Sequence, residues 1–596
     1  MLYPVENGIR EVKELSGIWQ FKADYENTGR EQAWYREKLT DTIAMPVPAS
    51  YNDITTQAAL RDHIGDVWYE RMFHIPVSWK DRRIVIRVGS ATHHAVLWIN
   101  GEEVTSHKGG FLPFEADITD RVKIGAENRV TLAVNNILDW SCLPSGEIKT
   151  FEDAPEGRYP KGHRVQDTFF DFFNYAGLHR PVKLYATPLD YIEDITVTTD
   201  VEGTMGVAAY SLQVQGQAAS IRVRLMDAAG NEVAAAAGAD NRLTVNEPNL
   251  WEPGRGYLYT LEAELLDADG AVTDSYQLPV GIRTVEVKDN QFLINGKPFY
   301  FKGFGKHEDA DIRGRGLDEA LNVKDFNLMK WAGANSFRTS HYPYSEELLR
   351  LADREGFVVI DEVPAVGMCF WSETNTVFRE DRVNADTLKH HLDTMGEMIR
   401  RDKNHPCVVM WSIANEAATN EEAAVPYFTA VAEETRRLDP TRPITIVQTM
   451  WPSADRVGGL VDIICLNKYF GWYSDHGQIS VIERHMDLEL QGWHEKYGKP
   501  IIITEYGADT IAGYHQLPAV SFSEEFQYEF LEQYHRSFDK HPFVIGEQVW
   551  AFADFATKQG LTRVVGNKKG IFTRQRQPKA AAYKLRERWT GEHAKW

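Results

Sequence analysis

After about residue 283 the chain changes rhythm, because unbroken apolar runs of strand length begin to alternate with segments of helical period. That alternation is the mark of a parallel sheet buried on both faces, and it admits few folds. The runs are Phe299 to Phe304, Ala334 to Arg338, Phe357 to Asp361, Cys407 to Ile413, Pro443 to Val447, Asp462 to Asn467, Pro500 to Thr504 and Phe543 to Trp550. Eight such repeats predict a closed (β/α)8 TIM barrel over residues 283–596. The intervening segments agree. Ser345 is an N-cap with Glu346 and Glu347 in the first turn, and Gly356 stands at the C-terminal stop. Leu388, Leu392, Met395 and Ile399 form one apolar stripe. The helix between the fifth and sixth runs has the least support, with only about 450–460 to hold it.

Two β-rich units precede the barrel. Residues 1–185 carry short strand runs at Trp68 to Pro76, Arg83 to Gly89, His94 to Ile99, Arg129 to Asn135 and Pro181 to Ala186, with Asn100-Gly101 as a hairpin turn. No long helical pattern interrupts them, so a jelly-roll β-sandwich is expected. Residues 186–282 alternate in period two at Ile195/Val197, Tyr210/Leu212/Val214, Ile221/Val223/Leu225 and Tyr257/Tyr259/Leu261. An immunoglobulin-like β-sandwich of that length fits, with the Ala- and Gly-containing stretch near 227–240 in its loops.

Charge and motif content narrow the function. Lys and Arg total 65 against 86 Asp and Glu, a formal net charge of −21 that repels phosphate backbones and anionic membranes. Neither nucleic acid nor a membrane is an expected partner. The cysteines Cys142, Cys369, Cys407 and Cys465 are far apart and form no C-x-x-C pair. The start of the chain lacks a basic segment followed by an apolar one, and no membrane-length apolar stretch occurs, so a cytoplasmic protein is expected. There is no H-E-x-x-H, G-x-S-x-G or strand-linked G-x-G-x-x-G, and His390-His391 points to two faces of a helix. No metal and no cofactor are expected.

A barrel places its active site at the C-terminal ends of its strands, so the polar residues closing each run are the ones to inspect. The fourth run ends in Trp411-Ser412-Ile413-Ala414-Asn415-Glu416 and the seventh in Ile503-Thr504-Glu505-Tyr506-Gly507. Two carboxyl groups meeting there are what glycoside cleavage needs, one to protonate the leaving oxygen and one to meet the positive anomeric carbon. Asp171, in another domain, reads from its own surroundings as a hairpin or interface residue, and His341 as a neutral core or rim histidine. Trp411, Trp472 and Trp550 read as core aromatics, with Trp550 the best of them for stacking on a sugar.

The segments Asp171 to Gly177, Asn335 to Tyr344, Trp411 to Glu416, Asn467 to Tyr473, Thr504 to Asp509, Glu547 to Phe555 and Arg563 to Gly570 resemble the glycoside hydrolase family that contains β-glucuronidase, β-galactosidase and β-mannosidase. The likeness spans nearly the whole chain and is strongest to the bacterial glucuronidase branch. It implies that Glu416 is the acid/base and Glu505 the nucleophile, with Asn415 on the sugar 2-hydroxyl and Tyr469 on the nucleophile. It further implies that Asp171, His341, Trp550 and Arg563 surround the sugar, and that Tyr473, Asn567 and Lys569 address its C6 carboxylate. The implied substrates are β-glucuronides, and the implied assembly is a homo-oligomer, a tetramer.

Those assignments carry physical expectations. Glu416 must be protonated near neutral pH, so its pKa is expected to be raised, mainly by the anionic Glu505 and also by partial desolvation. Net retention expects the two carboxyl groups about 5 to 5.5 Å apart. Lys569 and Asn567 would offset the global field against an anionic sugar, although Gly566 to Gly570 alone reads as a solvated turn. The rival readings are a galacturonide, galactoside or mannoside hydrolase of the same family, and a non-catalytic carbohydrate-binding protein. Two departures from the family stand out. Glu416 is followed by Ala417-Ala418 where proline is frequent, and Gly367 to Lys389 is shorter than the long active-site loop of well-known bacterial members, which would open the entrance to bulkier aglycones.

Overall fold

The computed structural model describes residues 1–151, 157–160, 162–370, 376–591 and 595. The eight apolar runs form one closed parallel barrel. Its strands are β1 (Phe301–Gly305), β2 (Ser336–Arg338), β3 (Val358–Glu362), β4 (Val408–Asn415), β5 (Ile444–Gln448), β6 (Ile463–Asn467), β7 (Ile501–Glu505) and β8 (Val544–Trp550). Most of their residues are buried whichever way they point, because the barrel interior and the helical shell cover both faces.

The shell consists of α1 (Glu319–Ala332), α2 (Glu346–Glu355), α3 (Ala385–Asp402), α4 (Ala424–Leu438), α5 (Ile482–Tyr497), α6 (Glu524–Lys540) and α7 (Ala580–Thr590). Ser345 caps α2 by accepting from the Leu348 N–H, and Gly356 ends it at φ +70°, a left-handed position that glycine fills without a Cβ penalty. On α3, Met395 and Ile399 are buried, but Leu388 and Leu392 are only half-buried; His391 lies closer to the centre of the covered face. Between β5 and β6 the expected helix shrinks to a single turn, Gly458–Leu460, since that stretch is too short for more.

The N-terminal unit is a sandwich of a four-stranded and a six-stranded antiparallel sheet, with Ile84, Ile86, Leu97, Leu132 and Leu184 fully buried between them. Its hairpin His94–Ile99/Glu102–Lys108 turns through Asn100 at φ +53° and Gly101 at φ +87°, the paired positive angles that let a two-residue turn follow the strand twist. The middle unit packs a three-stranded on a four-stranded sheet. There the expected loop near 227–240 is partly a strand. Glu232–Ala237 pairs antiparallel with Ser220–Met226, so ladder hydrogen bonds outweigh alanine's weak strand preference.

Buried charges tie the units together. Arg10 grips Asp274 of the middle unit at 2.6 and 2.9 Å, and Arg87 of the sandwich reaches both Glu115 and Glu346 of α2. The segment carrying Asp171 leaves the sandwich and lies against the barrel, where the Phe173 N–H donates to the Ala556 carbonyl at 2.9 Å. All four cysteines are buried and free.

Candidate active site

The C-terminal rim of the barrel gathers charge that a sheet interior would not tolerate unpaired. Glu505 closes β7, and its two oxygens are held separately. Oε1 accepts from Arg338 Nη2, and Oε2 accepts from Tyr469 Oη at 2.7 Å. Arg338 closes β2 and is fully buried. Its Nη1 spans both oxygens of Glu362, the last residue of β3, at 2.7 and 2.8 Å. Glu362 also accepts from Ser412 Oγ at 2.7 Å and lies 2.9 Å from His341 Nδ1. Against the cost of burial, Glu362 and Glu505 hold the guanidinium charged, and Arg338 with His341 holds the Glu362 carboxyl below its usual range despite its burial.

Glu416 follows β4 in a left-handed backbone conformation, φ +54°, a region rarely used by residues with a Cβ and frequent at functional sites. Its Oε1 accepts from Asn467 Nδ2 at 2.9 Å, and the same amide reaches Asn415 Oδ1 at 3.2 Å. Asn467 is oriented in turn by Thr504 Oγ1, 2.9 Å from its Oδ1. Burial pushes the Glu416 pKa up to about 7, and the neighbouring Glu505 charge adds to it. The direction is the one expected, but the order of causes is reversed: desolvation leads and the second carboxylate follows. Two residues on, the Ala418 N–H donates to the Met368 carbonyl at 2.9 Å, joining the turn at Glu416 to the segment 367–389, of which residues 371–375 lie outside the described residues.

A second cluster adjoins this pair. Lys569 Nζ donates to Tyr473 Oη at 2.9 Å and to Asp509 Oδ2, and is fully buried. Arg563 Nε donates to both oxygens of Asp171 at 2.8 and 3.0 Å, Asn567 Nδ2 donates to Asp171 Oδ2 at 2.8 Å, and Arg563 Nη2 reaches Tyr473 Oη. The clusters are continuous, since the Tyr469 and Tyr473 rings lie 5.0 Å apart. Trp550 closes β8 nearly parallel to His341, at 5.1 Å and 22°. His341 Nε2 is 3.7 Å from Glu505 Oε1.

The eleven residues that the resemblance assigns to the site belong to one connected region: Glu416, Glu505, Asn415, Tyr469, His341, Trp550, Tyr473, Lys569, Asn567, Arg563 and Asp171. Trp472 borders it, 5.2 Å from the Lys569 ammonium. Trp411 does not, because its Nε1 donates to Asp439 at 3.0 Å beneath Arg442. The sequence reading gave no role to Arg338, Glu362, Asn467 or Asp509. Three of them close strands: Arg338 and Asn467 are the last residues of their runs and Glu362 is the first after its own, so inspecting the polar residues at each run's end finds them. Asp509 carries no such positional mark.

Comparisons with known proteins identify the family. Residues 285–593 match the TIM barrel domain of Glycosyl hydrolases family 2, residues 12–188 its sugar binding domain, and residues 190–283 a further Glycosyl hydrolases family 2 domain. The chain belongs to glycosyl hydrolase family 2 and is a glycoside hydrolase. Among its relatives, a β-glucuronidase of Paenibacillus borealis is 60% identical over 589 residues, covering 99% of this chain and 98% of that protein. The solved β-D-glucuronidase of Dictyoglomus thermophilum superposes with a TM-score of 0.95 at 52% identity over 100% of both chains. A β-glucuronidase of Ruminococcus gnavus, solved in complex with D-glucuronic acid, gives 0.93 at 41% identity over 99% of both.

Proposed function

We propose that this chain is a retaining exo-β-glucuronidase, with Glu505 as nucleophile and Glu416 as acid/base. The observation that carries the reading is the unbroken chain from Glu505 through Tyr469 and Tyr473 to the buried Lys569 ammonium. A hexopyranoside spanning it would set its anomeric carbon at the carboxylate and its C6 carboxylate at the cation. Among the described contacts the Asn415 amide oxygen is taken by Arg338 and Asn467, so its Nδ2 serves the 2-hydroxyl. His341 and Trp550 border the sugar, and Arg563 and Asn567 close the far end against Asp171.

The chemistry follows from the electrostatics. Arg338 and Tyr469 each donate to one oxygen of Glu505 and so orient it as the nucleophile. Its attack forms a bond to the anomeric carbon while Glu416 gives its proton to the departing glycosidic oxygen. The glycosyl ester has no charge, which removes one of the two causes that raise the Glu416 pKa. Glu416 then takes a proton from water, the resulting hydroxyl attacks the anomeric carbon, and Glu505 leaves as carboxylate. Two inversions give net retention.

Initial rates on 4-nitrophenyl β-D-glucuronide, β-D-galacturonide and β-D-galactoside test the glycone, with proton NMR to identify the first-formed anomer. Preference for the glucuronide and initial release of the β-anomer are expected. Preference for the neutral sugar, or initial release of the α-anomer, would overturn the assignment. On the same reading, the short 367–389 segment admits bulkier aglycones, including glucuronide-terminated oligosaccharides, and equal relative rates beside a long-loop relative would refute it. A homotetramer and a cytoplasmic location rest on family likeness and composition; sedimentation and fractionation test them.

A further inference from the structure

Asp509 stands in neither the acid/base pair nor the residues that face the sugar, yet both cations of the cluster, Lys569 and Arg563, lie against it. It lies four residues beyond the end of β7 and is 2% exposed. Its Oδ1 accepts from the Lys568 N–H at 2.7 Å, and its Oδ2 pairs with Lys569 Nζ and lies 3.4 Å from Arg563 Nη1. One carboxylate thus joins the loop after β7 to the loop after β8.

An ammonium has three protons and no acceptor. In Lys569 one is directed to Tyr473 Oη and one to Asp509 Oδ2. Fixing two of three tetrahedral directions fixes the third. The rings of Tyr473, Trp472 and Tyr469 surround the same nitrogen at 4.7, 5.2 and 5.7 Å, supplying attraction without a further direction. Charge leads to the same conclusion. Asp171 and Asp509 balance Arg563 and Lys569, so the cluster is close to neutral and does not attract an anionic sugar by net charge. Selectivity for a carboxylate must come from where the donors point.

We infer that Asp509 is the positioning residue for uronate selectivity, holding Lys569 so that its remaining proton faces the C6 carboxylate of the substrate. The inference rests on the glucuronidase reading above. It assigns Asp509 no contact with the sugar and no part in bond cleavage.

The test compares the parent with Asp509→Asn on 4-nitrophenyl β-D-glucuronide and β-D-glucoside, which differ at C6 alone. The variant keeps an acceptor for the Lys568 N–H and loses the charge. A rise in glucuronide KM of about tenfold or more, with a smaller change in kcat and a fall in the glucuronide-to-glucoside ratio of similar size, supports the inference. An unchanged ratio, or an equal loss on both substrates, overturns it. Should that variant fail to fold, Asp509→Glu decides, because it keeps the charge but displaces it by one methylene. A KM effect confined to the glucuronide supports the inference, and an equal effect on both substrates overturns it. If the parent itself does not prefer the glucuronide, the glucuronidase reading falls first and this inference with it.

Discussion

Arg338 donates to Glu505 with one nitrogen and to both oxygens of Glu362 with the other, so a single buried guanidinium serves two carboxylates on different strands. Lysine at this position has no fork to span them. Arg338→Lys is expected to lower kcat by roughly 100-fold with little change in KM, since Glu505, the proposed nucleophile, loses its orientation. Arg338→Ala should instead destabilise the fold by about 3–5 kcal/mol, because it strands buried charge. Steady-state kinetics and denaturant unfolding distinguish the two effects.

Glu505→Gln should abolish glucuronide hydrolysis, on the order of 10⁴-fold or more in kcat. Glu416→Gln should cost about 10²–10⁴-fold on substrates with poor leaving groups and much less on nitrophenyl glycosides, which need little protonation. Paired assays on the two substrate types check this. A uniform loss across leaving groups would remove the acid role from Glu416.

The Glu416 pKa near 7 sets a sign for both rate and stability. As an acid it must be protonated, so kcat/KM on alkyl glucuronides should fall as pH rises through about 7. For stability, the folded pKa lies above the ordinary carboxyl value. Both states are protonated at low pH and no penalty exists there. Between about 4.5 and 7 the unfolded carboxyl ionises first, and the native state loses stability until pH exceeds 7. Glu416→Gln removes that penalty and should be more stable than the parent at pH 8, by on the order of 3 kcal/mol, and indistinguishable from it at pH 4. Thermal melting at the two pH values measures it.

Lys569→Gln should reduce glucuronide kcat/KM by about 10²-fold or more while the glucoside loses far less, because only the charged C6 group requires the ammonium. Equal losses on the two sugars would show that Lys569 is structural.

Much of this site could be read from strand ends. Glu416 and Glu505 close apolar runs, and in a barrel that position leads to one rim. Arg338, Glu362 and Asn467 obey the same rule, but single charged or polar residues at the edge of apolar runs blend with ordinary strand termini. Asp171 could not be found this way. It sits in a β-rich unit remote in sequence, and only resemblance to a family promoted it, since its pairing with Arg563 and Asn567 is made by tertiary contact. The strand Glu232–Ala237 was hidden for a related reason, as alanine gives no local strand signal and the pairing partner supplies the order. The order of causes at Glu416 also escaped the sequence, because burial depends on everything folded around a side chain.

Asp171 reaches the cation cluster from a segment anchored in the sandwich. The cluster around Lys569 is therefore assembled from two bodies, and the barrel alone is a vessel with one side missing. Sliding one body against the other by an ångström would misalign Arg563 and Asn567 with no change inside the barrel. Substitutions at the seam between sandwich and barrel, at Arg87 or Glu346 for example, thus have a mechanical route to the Asp171 contacts.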